Sequence, residues 1–244
     1  MLLVDLGNTR LKWAWWDGTS LLPGAPVDHA QPLRPQLERV WAGLPRGART
    51  LIASVARDRL EAELAQTVCD RGSEPEFVRS RAAACGVTSA YAEPEKLGVD
   101  RFLGLVALHA TVPGPTVLAG VGTALTLDAL AADGTHLGGL IAPSPTLMQQ
   151  ALLGATARLV ADSRETIEPF AAATGSAVRS GCWLAATALI ERFHAETAGR
   201  LGGRPALVLA GGGAAALLPL LRVPARLEAD LVLRGLVTLA GAGV

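Results

Sequence analysis

Two short segments of this chain carry the residue types that handle phosphate. The first is Leu2-Leu3-Val4-Asp5-Leu6-Gly7-Asn8-Thr9, and the second is Val117-Leu118-Ala119-Gly120-Val121-Gly122-Thr123-Ala124-Leu125-Thr126. In each, an apolar run meets a glycine-bearing turn with a Thr beside it. A run of alternating character follows, Leu11 to Trp16 in one case and Leu125 to Leu130 in the other. An apolar run before such a turn predicts a buried strand, and the alternation after it predicts a hairpin partner. Glycine lets backbone N–H groups come close to phosphate oxygens, and Thr adds a hydroxyl donor. Two tips built this way suit the two ends of a polyphosphate, so the repeat points to a nucleotide.

Asp5 closes the first apolar run. A carboxylate there is costly unless a cation or several donors satisfy it. Directing a hydrated Mg²⁺ onto phosphate oxygens is one way to do so; stabilising its own turn is another. Lys12, three residues after Thr9, has the charge to neutralise phosphate, or is simply a solvated strand residue. A third segment, Tyr91-Ala92-Glu93-Pro94-Glu95-Lys96-Leu97-Gly98-Val99-Asp100-Arg101, opens an apolar helix carrying Phe102, Leu105, Val106 and Leu108. Asp100 suits a helix N-terminus as a cap. Arg101 is less expected at that end of the dipole, and an Asp–Arg pair also suits a base beside an anion-binding group. Composition leaves both readings open.

The elements that must position these residues follow from periodicity. The first half predicts strands at about 2–5 and 10–17, the second supported by the alternation of Trp13 and Trp15, and a third after Gly24. A helix bearing Leu33, Leu37, Val40 and Trp41 should end near Gly43, and Leu51 to Val55 reads as a buried strand. Leu60, Leu64 and Val68 make 57–70 an amphipathic helix. Phe77-Val78 is a short strand, and a helix begins near Gly98. The second half predicts strands near 117–120, 124–131 and 136–142, with a turn at Asp133-Gly134. A helix after Pro145, a longer one over about 175–198, a strand at Ala206 to Ala210 and a final helix over about 228–240 complete it. Strands clustered at the start of each half, then alternation with helices, indicate mixed-sheet α/β units. Two of them suggest a duplicated fold with a cleft between. Pro113-Gly114-Pro115 marks the boundary, giving lobes of residues 1–113 and 114–244. The Trp13, Trp15, Trp16 strand either lines a ligand site or packs in the core.

The 244 residues are 50% hydrophobic and 18% charged, which supports a sizeable core and excludes general disorder. A formal net charge of zero argues against nucleic acid as a partner. Cys69, Cys85 and Cys182 fit neither a disulfide framework nor a metal spacing, and predict reduced thiols in the cytoplasm. His29, His109, His136 and His194 are equally scattered, and read as surface or helix-face residues. Met1-Leu2-Leu3-Val4 is too short for a signal peptide, and Phe102 to Leu127 is interrupted by Pro113, Pro115 and several glycines, so no membrane span is expected.

Taken together these residues resemble the type III pantothenate kinases, within the acetate and sugar kinase/Hsp70/actin superfamily. The resemblance rests on Asp5-Leu6-Gly7-Asn8-Thr9 with Lys12, Leu97-Gly98-Val99-Asp100-Arg101, and Gly122-Thr123-Ala124-Leu125-Thr126 with Asp128. It continues through Leu137-Gly138-Gly139-Leu140-Ile141-Ala142-Pro143, Ala151-Leu152, Thr156-Ala157-x-Leu159, Thr174-x-x-Ala177-Val178-x-x-Gly181, Gly211-Gly212 and Asp230-Leu231-Val232-Leu233-x-Gly235-Leu236. It implies a duplicated ribonuclease-H-like (actin-like ATPase) fold with ATP and pantothenate bound between two lobes. It also implies a homodimer whose substrate pocket is completed by the neighbouring subunit. Asp5, Gly7, Asn8, Thr9, Lys12, Gly122 and Thr123 would face the ATP phosphates, with Asp5 on Mg²⁺. Tyr91, Gly98, Val99 and Arg101 would hold pantothenate, Thr174 would reach across the dimer, and Asp100 would take the proton of the attacking hydroxyl. The family also uses a monovalent cation, potassium or ammonium, and usually places Asp where this chain has Gly120. Ser144, Ala173, Ala210 and Gly213 depart as well, from the family's Gly, Asn, Thr and Asp. Two alternatives follow: a catalytically impaired accessory or regulatory relative, and a superfamily kinase for a sugar or polyphosphate.

Overall fold

The structure, a computed structural model, describes residues 1–155 and 166–243. The expected motif at Thr156, Ala157 and Leu159 lies outside the described residues. Met1–Val112 and Asp230–Val244 make up one compact unit, and Pro113–Ala229 a second.

The first unit contains β1 (Leu2–Leu6), β2 (Arg10–Trp16), β3 (Leu21–Pro23), β4 (Val27–Asp28), α1 (Leu33–Val40), β5 (Thr50–Ser54), α2 (Asp58–Asp70), β6 (Pro75–Val78), β7 (Ala83–Ala84), β8 (Val87–Thr88) and α3 (Val99–Thr111). Its sheet runs β3-β2-β1-β5-β6, with β4 also on β2. β1 is antiparallel to β2 and parallel to β5, so the sheet is mixed. The two-residue period of β1 sorts its side chains. Leu2, Val4 and Leu6 pack with Leu11, Trp13, Leu37, Trp41 and Leu64 on one face. Leu3 points to the other, among Val99, Leu103, Leu233 and Leu236. The same period puts Asp5 on the Leu3 face, toward α3. Trp13 is a core residue: it meets Trp41 edge-on, with centroids 6.4 Å apart, and its Nε1 donates to Ala25 O at 2.9 Å.

The second unit contains β9 (Thr116–Val121), β10 (Ala124–Leu130), β11 (His136–Pro143), α4 (Pro145–Ala155), α5 (Thr174–Leu201), β12 (Ala206–Ala210), α6 (Ala214–Leu217) and β13 (Ala225–Leu227). Its sheet order, β11-β10-β9-β12-β13, repeats that of the first unit strand for strand. In both, the first strand has an antiparallel hairpin partner on one side and a parallel neighbour on the other. The core gathers Val117, Ala119, Leu125 and Leu127 against Trp183, Ala186 and Ile190 of α5. Asp128 and His136 form a fully enclosed pair, Oδ1 to Nε2 at 2.9 Å, across the β10–β11 hairpin.

The last helix departs from the sequence reading in both its start and its place in the fold. The last helix, α7 (Leu231–Gly241), starts three residues later than expected. It also belongs to the first unit, where the sequence reading ran the second lobe to residue 244. The reason is packing. Leu233, Leu236 and Leu239 join Leu3 and Leu103, and the bare Gly235 lies against the Leu103 carbonyl, where a Cβ would collide.

Candidate active site

The first turn is tied by its own backbone. Gly7 N–H donates to Arg10 O at 3.1 Å, leaving Asn8 and Thr9 exposed at the tip. The β1–β2 register sets Asp5 opposite Lys12 and Leu6 opposite Leu11. Asp5 and Lys12 are therefore cross-strand neighbours of opposite charge, a favourable pairing. Burial nevertheless dominates, and pushes the Asp5 carboxyl up to about 7 against the pull of Lys12, with Asp100 and Asp230 adding to the rise. Asp5 thus belongs to a group of like charges drawn from β1, the start of α3 and the residue before α7.

Asp100 lies within the first turn of α3, not at its cap. Gly98 is the cap residue, and no side chain caps this helix. Asp100 Oδ1 accepts the backbone N–H of Arg101 at 2.9 Å, which orients the carboxylate, and a Cβ on Gly98 would lie 2.6 Å from that same oxygen. The cap reading of Asp100 is corrected accordingly. Arg101 is only 6% exposed; its Nη1 donates to Tyr91 Oη at 3.0 Å, and its guanidinium lies 5.8 Å from the Tyr91 ring centroid. A buried guanidinium that donates to the phenol oxygen and lies within cation–π range of the same ring is held in one orientation. The connecting segment is pinned by Ser80 Oγ, which donates to Leu97 O at 2.7 Å. Val99 differs from its neighbours. Its side chain is buried with Leu3 and Leu103, so only its backbone is left to meet a substrate.

The second turn has its own supports. Gly122 N–H donates to Ala124 O at 2.9 Å, with Gly122 and Thr123 exposed. Behind it, Gly213 N–H donates to Val121 O at 3.0 Å. Gly211, at φ +96°, approaches so closely that a Cβ would lie 2.5 Å from that carbonyl. Gly120 pairs with Thr126 across the hairpin, and a Cβ at 120 would come within 2.5 Å of Thr126 Oγ1. The Thr126 hydroxyl thus occupies the direction in which a side chain at 120 would leave the strand. Thr174 is the exposed first residue of α5.

The first unit therefore brings Asp5, Lys12 and Asp100 into electrostatic contact and joins Tyr91 to Arg101. Gly122, Thr123 and Thr174 stand in the second unit. Asp230 was not singled out as a site residue. It sits at φ +53° immediately before α7. An Asp preceding an apolar helical run is a helix-start signal that could have found it. Among the described residues no group of three or more His, Cys, Asp or Glu is placed to hold a metal ion.

A family model described as type III pantothenate kinase matches residues 1–196. The chain belongs to the type III pantothenate kinase family. A type III pantothenate kinase from Xanthomonas oryzae pv. oryzae (strain PXO99A) is 42% identical over 240 residues, covering 98% of this chain and 97% of its own. One from Thiobacillus denitrificans is 40% identical over 242 residues, covering 99% and 97%. Among solved structures, a protein described as a Baf family transcriptional activator from Campylobacter jejuni superposes with a TM-score of 0.61 at 17% identity, covering 100% of this chain and 98% of that one. A 2-dehydro-3-deoxygalactonokinase protein from Sinorhizobium meliloti gives 0.56 at 16%, covering 99% and 95%. These likenesses concern the fold, and the repeated sheet order agrees with them: the chain has the duplicated, ribonuclease-H-like architecture of the sugar kinase and actin-like ATPases.

Proposed function

We propose that this protein phosphorylates pantothenate with ATP to 4′-phosphopantothenate, the first step of coenzyme A biosynthesis. The observation that carries the reading is the Tyr91–Arg101 pair beside Asp100, inside a chain that matches this kinase family over nearly its whole length. The Arg101 guanidinium binds the pantothenate carboxylate, and Tyr91, Gly98 and the Val99 backbone complete the grip. Asp100, oriented by the Arg101 N–H, takes the proton of the primary hydroxyl as that oxygen attacks the γ-phosphorus. Asn8 and Thr9 on the first turn, with Gly7 at its base and Lys12 on β2, face the ATP phosphates; Gly122 and Thr123 are the second turn's contribution. Most of the catalytic effect is then positioning and charge neutralisation, which is what phosphoryl transfer requires.

Mg²⁺ fits Asp5. A carboxyl driven up by burial and by two like charges gains from a divalent cation, and Mg²⁺ is commonly held by one or two carboxylates with water and substrate phosphates. The chemistry it supplies when bound is neutralisation of phosphate charge. A carboxylate-held monovalent cation does not fit at 120, where there is no side chain and the Thr126 hydroxyl fills the exit direction. A homodimer is supported by apolar surface on the second unit. Ile141 is 65% and Phe170 97% exposed, accompanied by Leu140, Leu147 and Leu152. A second copy seated on this unit would cover those side chains, and Thr174 is exposed there to meet it. The free thiols of Cys69, Cys85 and Cys182 suit the cytoplasm. No helix among the described residues is long and apolar enough to cross a membrane.

The test is product formation. Purified protein with ATP, Mg²⁺ and pantothenate should yield 4′-phosphopantothenate by mass spectrometry, and replacing pantothenate by sugars should yield no phosphorylated product. Turnover of a sugar without turnover of pantothenate would overturn the assignment.

A further inference from the structure

The first phosphate-facing turn is braced by a strap that no motif marks. β4 lies along the exit of the turn, with Val27 paired to Leu11 and Asp28 to Arg10. Val27 is 2% exposed and anchored among the core residues of the first unit. The next residue, His29, reaches the turn twice. Its backbone N–H donates to Thr9 O at 3.3 Å, and its ring Nδ1 lies 3.2 Å from Asn8 O. The carbonyl of Asn8 is an acceptor only, so Nδ1 carries the proton in this contact. The other ring nitrogen, Nε2, is buried with no hydrogen-bond partner among the described residues. The strap is itself tied down from α1. Gln36 Nε2 donates to Asp28 O at 2.9 Å, and it also contacts Gln31 O and Pro32 O at 3.2 and 3.1 Å. Asp28 Oδ1 accepts the N–H of Ala30 at 2.8 Å.

We infer that His29 is a positioning residue for ATP, holding the Asn8–Thr9 peptide units in the orientation that presents their N–H and hydroxyl donors to phosphate. Three features carry this beyond simple packing. The bonds go to two successive carbonyls of the exposed tip. A buried Nε2 without a partner costs stability, so the ring is not placed there for the fold's benefit. The strap beneath it is anchored on one side by the core and on the other by Gln36, so it forms a rigid base. Two peptide units fixed at their carbonyls cannot rotate their N–H groups away from a bound phosphate, and this preorganisation lowers the cost of binding.

The inference rests on the kinase reading for which molecule the turn holds, but its test does not depend on turnover. His29→Ala should weaken binding of Mg·ATP, measured by calorimetry without pantothenate, by about tenfold. In the kinetic assay it should raise KM for ATP by a similar factor and leave KM for pantothenate within twofold. His29→Asn, whose side-chain amide can donate near the Nδ1 position, should recover most of the loss. His29→Gln, whose donor sits farther out, should not. Hydrogen exchange at the Asn8, Thr9 and Arg10 amides should accelerate in His29→Ala while the β5 amides stay protected. Unchanged Mg·ATP affinity in a folded His29→Ala variant would overturn the inference, as would equal rises in both KM values or failure of His29→Asn to rescue. If the wild-type protein bound Mg·ATP but did not phosphorylate pantothenate, and His29→Ala still weakened that binding, the assigned substrate would fall while the positioning role stood.

Discussion

At the scale of single residues, Asp5 is a carboxyl whose charge is disfavoured by burial. Its carboxyl rises from an ordinary value of 3.8 to about 7, chiefly through burial. An acid whose folded value lies above its unfolded value keeps its proton longer when folded. The ligand-free protein therefore loses stability as pH climbs from about 4 through about 7, and the loss is complete above that. Asp5→Asn should flatten this fall and make the ligand-free protein more stable than wild type at pH 8, by roughly 2–4 kcal/mol as an upper range. Urea denaturation at pH 5 and pH 8 checks it. A variant no more stable at pH 8 than wild type would show that the buried charge is already compensated. The same substitution should abolish most activity with Mg²⁺ and ATP. Arg101→Ala addresses the other half of the site. It removes a guanidinium hydrogen-bonded to Tyr91, and should raise KM for pantothenate by ~100-fold or more, the scale of a lost charge-assisted contact of about 3 kcal/mol. KM for ATP should change little in steady-state kinetics.

Among the elements, the two hairpin tips were legible because strand alternation and glycine turns are local signals. Leu2 to Leu6 and Arg10 to Trp16, like Thr116 to Val121 and Ala124 to Leu130, pair as their patterns indicate. The two- and three-residue strands β3, β7, β8 and β13 are too short to show a period, and they form because a neighbouring strand offers hydrogen bonds. The membership of α7 is a tertiary fact. Its apolar stripe reads clearly, but only packing says that it covers β1 and α3. For the same reason Asp230 was invisible as a neighbour of Asp5, 225 positions earlier in the chain, the difference between 230 and 5. His29 was unreadable too, since its partners are backbone carbonyls. Gly235 makes the α7 packing testable. With the Leu103 carbonyl where a Cβ would go, Gly235→Ala forces the helices apart and should cost about 1–3 kcal/mol, the range for overpacking. Thermal denaturation reads this directly, and an unchanged midpoint would contradict the close approach.

For the molecule as a whole, Gly120 and the exposed apolar side chains of the second unit bear on what the protein needs around it. With the Thr126 hydroxyl filling the space beyond Gly120, potassium or ammonium should change turnover by less than about twofold, compared at constant ionic strength so that general screening is held fixed. A large activation specific to potassium would contradict this. For the proposed homodimer, Ile141→Glu combined with Phe170→Glu should give monomers in sedimentation velocity and weaken pantothenate binding; an unchanged sedimentation coefficient would contradict the proposed interface. The base role proposed for Asp100, acting on a bound alcohol, is narrower than either point. Its most direct test measures kcat for Asp100→Asn alongside calorimetric affinities for ATP and pantothenate. In that variant kcat should fall by about 10²–10⁴-fold, the usual contribution of general base catalysis, while both affinities stay within about threefold of wild type. An Asp100→Asn enzyme turning over at near the wild-type rate would contradict it.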